Sequence, residues 1–547
     1  MPEKSKETNI GTDNDGYLTI GEARHRNQNY SPNEREKSVE SETFPKSTDN
    51  SGFFTKKKHV LGVVVALVII IIVVVVVTLV TMGQDGNGNL KSSTENQKAV
   101  CPNVPTTNMK YSTEGKTGIQ GRQFLVCFTD NHPEARNQTE TIYILSEEDF
   151  EYKLISEFLD SSQLFKEVQT QSRNFKEINV TNTIALYDFE IEQKALLIET
   201  TRDVTVIIID NYIHSSDSTS ILPIKSISNS YVISTPGPFN KTLSGSSHFA
   251  IASQANRTIV KIRFHFDPDT PKIIKGITYR SGSEMIRVLD ELQTYQIWYG
   301  GDLSGTIINA SSPVAVFAGS FCQAVAFVNQ TNPGFCSKLD EQLPPIDRLD
   351  KMYIVPPNYN REGTILKIVS PFENHLTYKI GSSETGKRLK PNGYFEIKFS
   401  DEEVVVIDSE KPVLVTSYAT GSDITGDPYM VTIPGIRQYT DKYFVTVPGN
   451  FTENYIALMV EEKSLNNVVL NDTTIIQHFN DKKFYATVTI KDVSFVVLVL
   501  QISGGTLKVK STDNSAFGLI VYGHRKNDGH GFVGKAVLPD TCVNSYQ

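Results

Sequence analysis

The sequence predicts an all-β extracellular region built from tandem sandwich-like modules of about 100 residues, preceded by one transmembrane helix and a disordered tail. Three observations lead to this prediction. Residues 119–537 consist of short β-branched and aromatic runs separated by turn residues. Related phrases recur within them at intervals of about 100 residues, and one long uncharged apolar run lies near the N-terminus.

Residues 1–58 are predicted to be a disordered cytoplasmic tail. They hold ten basic and ten acidic residues, are rich in Ser, Asn and Thr, and have too few large apolar side chains to bury a core. Tyr17, followed three positions later by Ile20, matches the pattern of endocytic sorting signals that clathrin adaptors bind. A clathrin adaptor is therefore a candidate partner, with a chance tetrapeptide as the alternative interpretation.

Residues 59–82 are predicted to cross a membrane once. The run Val60–Met82 contains 23 residues without a charge, and a helix rising about 1.5 Å per residue would span a hydrocarbon core of about 30 Å. Lysines 56–58 precede the run, whereas the next basic residue after it is Lys91. This asymmetry predicts a single-pass type II protein of the plasma membrane, anchored by an uncleaved signal, with a cytoplasmic N-terminus and an extracellular C-terminus.

Residues 83–99 form a predicted Gly/Asn/Ser/Lys linker, and residues 100–547 form the predicted extracellular domain. All five cysteines lie beyond the apolar run, where disulfides persist. The formal charge of −9 also belongs to this region and argues against a nucleic-acid ligand. N-glycosylation sequons occur there as well, at Asn137, Asn179, Asn240, Asn256, Asn309, Asn329, Asn450 and Asn471.

Alternation of apolar and polar residues predicts half-buried strands, most clearly in Thr258–Phe264. One segment, Glu147–Lys166, instead favours a helix because Phe150, Leu154 and Phe158 are spaced by four.

A repeated phrase predicts the modules. Ser311–Gly319 recurs as Glu410–Tyr418 and, more weakly, as Asn514–Gly523. We therefore expect modules at roughly 119–230, 231–345, 346–435 and 436–537, each a sandwich of about six strands. A propeller-like closure is the alternative, because the sequence does not show whether the ends meet.

Several of these segments resemble the N-terminal domain of the IgGFc-binding protein family. The matching segments are Gly121–Asn131, Pro313–Cys322, Cys336, Glu341–Pro345, Tyr353–Pro357 and Phe517–Gly523, of which the block Glu-Gln-Leu-Pro-Pro is the most specific. Two positions depart from the family pattern, with Gln123 in place of an acidic residue and Thr129-Asp130 in place of Pro-Glu. The resemblance implies an extracellular module that binds proteins or glycoproteins, with immunoglobulin among its candidate ligands.

The five cysteines allow two bridges and one free thiol. Cys322 and Cys336 enclose a loop of 13 residues and are the favoured pair. Cys101 and Cys542 bracket the domain and would clamp its ends, with an intermolecular bridge through Cys101 as the alternative. Cys127 lies in an apolar strand and is expected to be a buried thiol.

Catalytic motifs are missing from the sequence, which has no Gly-x-Ser-x-Gly elbow, no His-Glu-x-x-His and no phosphate-binding loop. His524 and His530 are expected in a solvated Gly-rich loop rather than at a metal site. Acidic turns such as Asp267–Asp269 could hold calcium, although turn capping by Asp is the favoured interpretation. We expect no cofactor, no metal and no enzymatic activity.

Three function classes follow. We favour a cell-surface binding or adhesion protein that presents its β modules to extracellular protein or glycoprotein ligands. A glycosylated structural coat protein is the first alternative. An ectoenzyme is the second, and a cluster of pKa-shifted carboxylates or histidines in the folded protein would favour it.

Overall fold

The computed structural model describes residues 117–118, 120–131, 139–159, 169–171, 174–187, 189–210, 215–237, 245–327, 336–422, 426–448, 451–534 and 536–538. Within these ranges no helix is both long and apolar enough to cross a bilayer. The remaining residues include the predicted tail, span and linker, and the following predicted sites: Tyr17, Ile20, Cys101, Cys542, Asn137, Asn240, Asn329 and Asn450.

The all-β prediction is confirmed, because the described chain is almost entirely strand, in four groups that we call units 1 to 4. Strand β1 (Thr117–Gly118) precedes unit 1 and belongs to none of the four units. Unit 1 comprises β2 (Gly121–Val126), β3 (Thr139–Ser146), β4 (Phe150–Ile155), β5 (Gln169–Gln171), β6 (Asn174–Thr181), β8 (Leu196–Asp210) and β9 (Ser218–Ile221), and β7 (Ile191–Glu192), between β6 and β8 in the chain, pairs with the sheet of unit 2. Unit 2 comprises β10 (Ser228–Val232), β11 (Ser247–Ser253), β12 (Thr258–Arg263), β13 (Lys272–Ile274), β14 (Ile277–Tyr279), β15 (Glu284–Leu289), β16 (Thr294–Tyr299), β17 (Ile307–Gln323) and β18 (Ser337–Gln342).

Units 3 and 4 follow in the described part of the chain. Unit 3 comprises β19 (Asp350–Val355), β20 (Thr364–Val369), β21 (Asn374–Ile380), β22 (Ser383–Leu389), β23 (Tyr394–Phe399), β24 (Val405–Ala419) and β25 (Met430–Thr432). Unit 4 comprises β26 (Lys442–Val447), β27 (Glu453–Glu461), β28 (Val468–Leu470), β29 (Thr473–Thr474), β30 (Lys482–Ile490), β31 (Val493–Ile502), β32 (Gly505–Ser511), β33 (Gly518–Arg525) and β34 (Asp528–Val533), and β35 (Val537–Leu538) follows. Short 3-10 helices lie at Asn182–Ile184, Ile224–Ser226, Ile346–Arg348, Ile436–Gln438, Glu462–Asn467 and Ile475–Asp481.

One long strand organises each of the first three units. In unit 2, the first half of β17 pairs with β10 and β12, and its second half pairs with β11 and β18. β8 and β24 have the same pattern of partners in units 1 and 3. In unit 4 the corresponding strand is divided into β32 and β33, which keep the equivalent partners β26, β28, β27 and β34. The four units therefore share one topology.

A buried tyrosine fixes the first strand of units 2 and 3 to the long strand, and in unit 4 it fixes the first strand to the residue before β33. The hydroxyls of Tyr231 and Tyr353 donate to the carbonyl oxygens of Val314 and Val413, at 2.6 and 2.5 Å. Tyr443 donates in the same way to Phe517. In unit 1 the equivalent position in the register is Phe124, which has no hydroxyl to donate.

The last strands of the four units meet around one centre. β9 contacts β18, β18 contacts β25, β25 contacts β34, and β34 contacts β9. β1 pairs with β35, so the two ends of the described chain meet. The units are therefore arranged as a closed ring.

The predicted helix at Glu147–Lys166 is wrong where the segment is described, because residues 150–155 form strand β4. Phe150, Tyr152 and Leu154 are buried and alternate with outward residues. The tertiary partner β8, to which β4 is hydrogen-bonded, therefore decides the conformation.

Candidate functional site

The predicted cysteine and sequon residues have clear positions where they are described. Cys322 and Cys336 form a disulfide, with their Cα atoms 5.0 Å apart, and it ties the end of β17 to the start of β18. Cys127 is a buried free thiol. The four described sequon asparagines, Asn179, Asn256, Asn309 and Asn471, are all exposed, and their glycosylation stays a prediction.

The prediction that His524 and His530 lie in a solvated loop is wrong. They lie on the paired strands β33 and β34, and both are buried. Burial lowers the pKa of His524 to about 4 and that of His530 to about 3, so both rings are neutral at pH 7. The described residues contain no group of three His, Cys, Asp or Glu side chains arranged to hold a metal ion.

The acidic turn at Asp267–Asp269 has a structural role. The carboxylate of Asp269 accepts a hydrogen bond from the Ser281 backbone N–H at 3.1 Å. The bond reaches the segment after β14, so it ties two segments together, and capping within the turn Asp267–Asp269 stays a prediction.

Charged side chains are buried where the four units meet. We call the group Asp210, Asp217, His248, Lys338, Asp340 and Glu341 the central polar cluster. It lies on β8, β11 and β18 and at the start of β9. It is therefore shared between units 1 and 2.

Asp217 joins three units through one carboxylate. Its Oδ1 accepts from Ser218 N at 2.8 Å, and its Oδ2 accepts from the backbone nitrogens of Asp340 and Met430, each at 3.1 Å. Asp528 plays the matching role for unit 4, since it accepts from the Ser216 backbone N–H at 3.1 Å. Buried carboxyl groups that accept backbone hydrogen bonds in this way hold the ring together.

Lys338 supplies the positive charge of the cluster. Its ammonium contacts the carboxylate of Asp210, lies 3.8 Å from Asp340 Oδ2 and donates to the Thr129 carbonyl at 3.0 Å. Burial by itself would lower the pKa of Lys338, but the carboxylates of Asp210, Glu140 and Asp340 outweigh burial and raise that pKa. The lysine therefore stays charged.

The acids of the cluster hold their protons more tightly than usual. Burial raises the pKa of Asp340 to about 6, although Lys338 opposes the shift. Burial also raises the pKa of Asp217 and of Glu341, and their mutual repulsion adds to the shift of Glu341. His248, whose Nε2 lies 4.0 Å from Asp340 Oδ1, has its pKa lowered to about 3 by burial and by Lys338.

This cluster is the kind of constellation that an ectoenzyme would need, but it is closed. The cavity beside Asp210, Asp217 and Asp340 measures about 10 Å³, which is room for one water molecule at most. In the described structure the cluster therefore joins units and offers no space to a substrate.

Exposed apolar side chains are concentrated in unit 2. Among the described residues, ten large apolar side chains are more than a third exposed, and seven of them lie on unit 2 strands or on β7, which pairs with β16. We call these seven the apolar surface of unit 2: Ile191, Ile259, Ile273, Ile277, Ile286, Val288 and Trp298.

Contacts connect the elements that carry the apolar surface. The ring of Phe189 lies 4.9 Å from that of Trp298, and the ammonium of Lys275, at the tip of the β13–β14 hairpin, lies 5.7 Å from the Phe189 ring. Arg287 of β15 donates to the Tyr295 hydroxyl of β16 at 2.9 Å. The hairpin tip, Phe189 and Trp298 are therefore joined, whereas Arg287 meets the buried Tyr295 on the side of β15 opposite Ile286 and Val288.

Three aliphatic side chains and one lysine lie on the outward side of β12 and β15. We call Ile259, Lys261, Ile286 and Val288 the aliphatic row. The register places Ile259 opposite Val288 and Lys261 opposite Ile286. All four side chains are exposed, whereas Val260 and Ile262, which alternate with them, are buried in the unit 2 core.

Sequence reasoning missed both regions. A signal for the central cluster was present in Ser337–Gln342, a charged segment whose strand is buried along its whole length. A signal for the apolar surface was the alternation in Thr258–Arg263, which gave the strand but not which side was buried. The partners of both segments lie on other strands, so neither signal was sufficient.

Comparison with known proteins gives a family and one human relative. The model of the family described as IgGFc binding protein matches residues 217–523, more than half of the chain. The human IgGFc-binding protein is 22% identical over 355 residues, or 64% of this chain. The aligned part is 6% of the length of that relative.

Solved structures of bacterial adhesins match weakly. A Ca²⁺-stabilized adhesin with which an Antarctic bacterium binds ice is 10% identical, with 77% of this chain and 99% of the adhesin covered and a TM-score of 0.10. A bacterial ice-binding adhesin of 1.5 MDa is 9% identical, with 57% and 98% covered and a TM-score of 0.09. Scores this low carry no argument about fold or function.

Proposed function

This chain belongs to the IgGFc-binding protein family, and from that premise we propose that it is a cell-surface binding or adhesion protein for extracellular protein or glycoprotein ligands. Immunoglobulin is one candidate ligand, because the family and the human relative carry its name. We further propose that each unit is a sandwich-like module, that the chain is anchored by residues 59–82, and that its domain faces the extracellular space.

One observation carries the binding proposal: apolar side chains are exposed together on unit 2 instead of being scattered over the ring. Ile273 is 67% exposed and Val288 is 50% exposed. Exposed apolar side chains concentrated in one part of a protein are typical of protein interaction sites. Asp210, Asp217 and Asp340 of the central polar cluster lie beside a cavity of only about 10 Å³, which supports binding over catalysis at that place.

Binding of soluble ligands tests the function. We would immobilise the purified full chain and pass immunoglobulin G and a panel of extracellular glycoproteins over it. We expect saturable binding of at least one protein, reduced by the change Ile273→Lys. Unsaturable or absent binding across the panel would favour the structural coat protein instead.

Uptake tests the anchored orientation and the tail. If a clathrin adaptor binds at Tyr17 and Ile20, Tyr17→Ala should slow internalisation of chains labelled at the cell surface with an antibody to the C-terminal region. An unchanged rate would remove the sorting signal. Failure of the antibody to label intact cells would remove the proposed orientation.

A further inference from the structure

We propose that the aliphatic row on β12 and β15 binds a protein segment that presents aliphatic side chains beside carboxylates. This proposal rests on the binding function above and adds the chemistry of the ligand. Three observations carry it: the exposed row itself, a lysine within it that has no ion pair in the described structure, and the contrast with the same rows of unit 3.

The units share one topology, so unit 3 serves as an internal reference. Tyr231 is registered with Ile308 in unit 2, and Tyr353 is registered with Ile407 in unit 3. Through the long strands, β12 corresponds to β21 and β15 corresponds to β22. This alignment gives a residue-by-residue correspondence between the two outward sides.

The corresponding rows differ in chemistry. Unit 2 pairs Ile259 with Val288 across the strands, whereas unit 3 pairs His375 with Arg388. At the next cross-strand pair on the same side, unit 2 has Lys261 opposite Ile286, whereas unit 3 has Thr377 opposite Gly386. Unit 2 therefore has three aliphatic side chains at exposed positions where unit 3 has none.

A third cross-strand pair has the same chemistry in both units, so the difference between units 2 and 3 ends there. Arg263 lies opposite Glu284 in unit 2, and Lys379 lies opposite Glu384 in unit 3, where the two charges approach to 2.9 Å. Both units thus keep a cross-strand pair of opposite charges at one end of the hairpin. In unit 2 the aliphatic row begins directly beside this charged pair.

Charge indicates which partner fits. Lys261 is exposed between Ile286 and Asn309 and forms no ion pair with any described residue. Residues 257–290 contain seven Lys or Arg and four Asp or Glu, although the whole chain has a formal charge of −9. This locally basic hairpin is complementary to carboxylates, which add selectivity to the apolar contact.

Two peptides test the chemistry directly. We would label a twelve-residue peptide of alternating valine and glutamate, and one of alternating valine and lysine, and measure the fluorescence anisotropy of each with the purified full chain. We expect the glutamate peptide to bind roughly tenfold more tightly. We also expect carbodiimide coupling to join that peptide to Lys261, identified by mass spectrometry.

Exchanging residues between units locates the site. Ile286→Gly places the unit 3 residue in unit 2 without changing charge and should weaken binding of the glutamate peptide about tenfold. Lys261→Thr should weaken it less, about threefold, and remove most of its salt dependence. The matched control Gly386→Ile makes the reverse exchange in unit 3 and should leave affinity within twofold.

Equal affinity of the two peptides, or equal effects of Ile286→Gly and Gly386→Ile, would overturn the proposal. Thermal unfolding of each variant separates a lost contact from a misfolded protein, since exposed substitutions should leave the unfolding temperature almost unchanged. If soluble proteins bind to the full chain while neither peptide does, the binding function stands and the ligand chemistry proposed here fails.

Discussion

Charged side chains are usually exposed and apolar ones buried, and the central polar cluster and the apolar surface of unit 2 each depart from this distribution. The cluster buries Lys338 and the carboxylates around it, whereas the apolar surface exposes isoleucines and a tryptophan. Burying charge costs several kcal/mol unless every charge is paired, and exposing apolar groups lowers solubility. These two departures serve different ends, since the cluster joins the units, whereas the apolar surface is the region that we propose for ligand binding.

The largest expected effect comes from removing the lysine of the cluster. Lys338→Met leaves Asp210 and Asp340 buried without their counter-charge, and should lower the free energy of unfolding by about 3 to 5 kcal/mol. Chemical denaturation would measure the loss. Lys398→Met, at an exposed position of β23, is the control and should change stability by less than about 0.5 kcal/mol. Similar effects of the two changes would contradict the role given to the cluster.

The disulfide beside the cluster should have the next largest effect. Cys336 directly precedes β18, which carries Lys338 and Asp340. Cys322→Ser should lower the free energy of unfolding by about 2 to 3 kcal/mol, because the open loop gains chain entropy in the unfolded state. A reducing agent should bring the wild-type protein to the same value and leave the variant unchanged. A wild-type protein indifferent to reduction would contradict this prediction.

A smaller effect is expected in the pH dependence. Because the pKa of Asp340 rises to about 6 on folding, its contribution to stability is fully present below the unfolded pKa of about 4 and is lost as pH rises through about 6. His248 and His530, with lowered pKa values, act in the opposite direction as pH falls. The contribution of Asp340 must therefore be measured as the difference in the free energy of unfolding between the wild-type protein and a variant without this carboxyl group.

Asp340→Asn isolates that contribution while keeping an acceptor for the Thr129 hydroxyl. On acidification from pH 7.5 to pH 5, the wild-type protein should gain about 1 kcal/mol relative to the variant. Denaturation of both proteins at the two pH values measures this. Parallel pH profiles would show that Asp340 does not titrate in this range.

The smallest effect on stability is expected on the apolar surface. Ile273→Ser removes a side chain that is already 67% exposed, so the free energy of unfolding should change by less than about 0.5 kcal/mol. Binding of a protein ligand should nevertheless weaken severalfold. Denaturation and equilibrium binding on the same sample test both halves. A loss of stability comparable to that of Lys338→Met would mean that the two regions do not differ as described.

Local pattern was sufficient for the strand content but not for the arrangement. Thr258–Arg263 alternates in sequence and is a half-buried strand in the structure. Phe150, Leu154 and Phe158 fit a helical spacing, yet the first two also fit a strand, and Tyr152 between them is buried as a strand requires. Pairing with β8, about 45 residues away, decides between the two, and no local signal contains that information.

The candidate sites were less accessible to sequence reasoning because they depend on contacts between distant segments. Asp217 meets Asp340 and Met430 across 123 and 213 residues. His524 and His530 were expected in solvent because glycines surround them, but pairing of β33 with β34 buries both. The disulfide between Cys322 and Cys336 was predictable because its loop is short.

The pairing of β1 with β35 has a consequence for synthesis of the protein. A chain emerging from the ribosome displays residues 117–118 early, but their partners at 537–538 appear only after some 420 further residues have been made. Until then the first unit lacks its last neighbour, and backbone groups that β35 will occupy remain open to other chains. The ring can therefore close only after residues 537–538 have been made, and stop codons that delete β35 should send the product to chaperones and degradation.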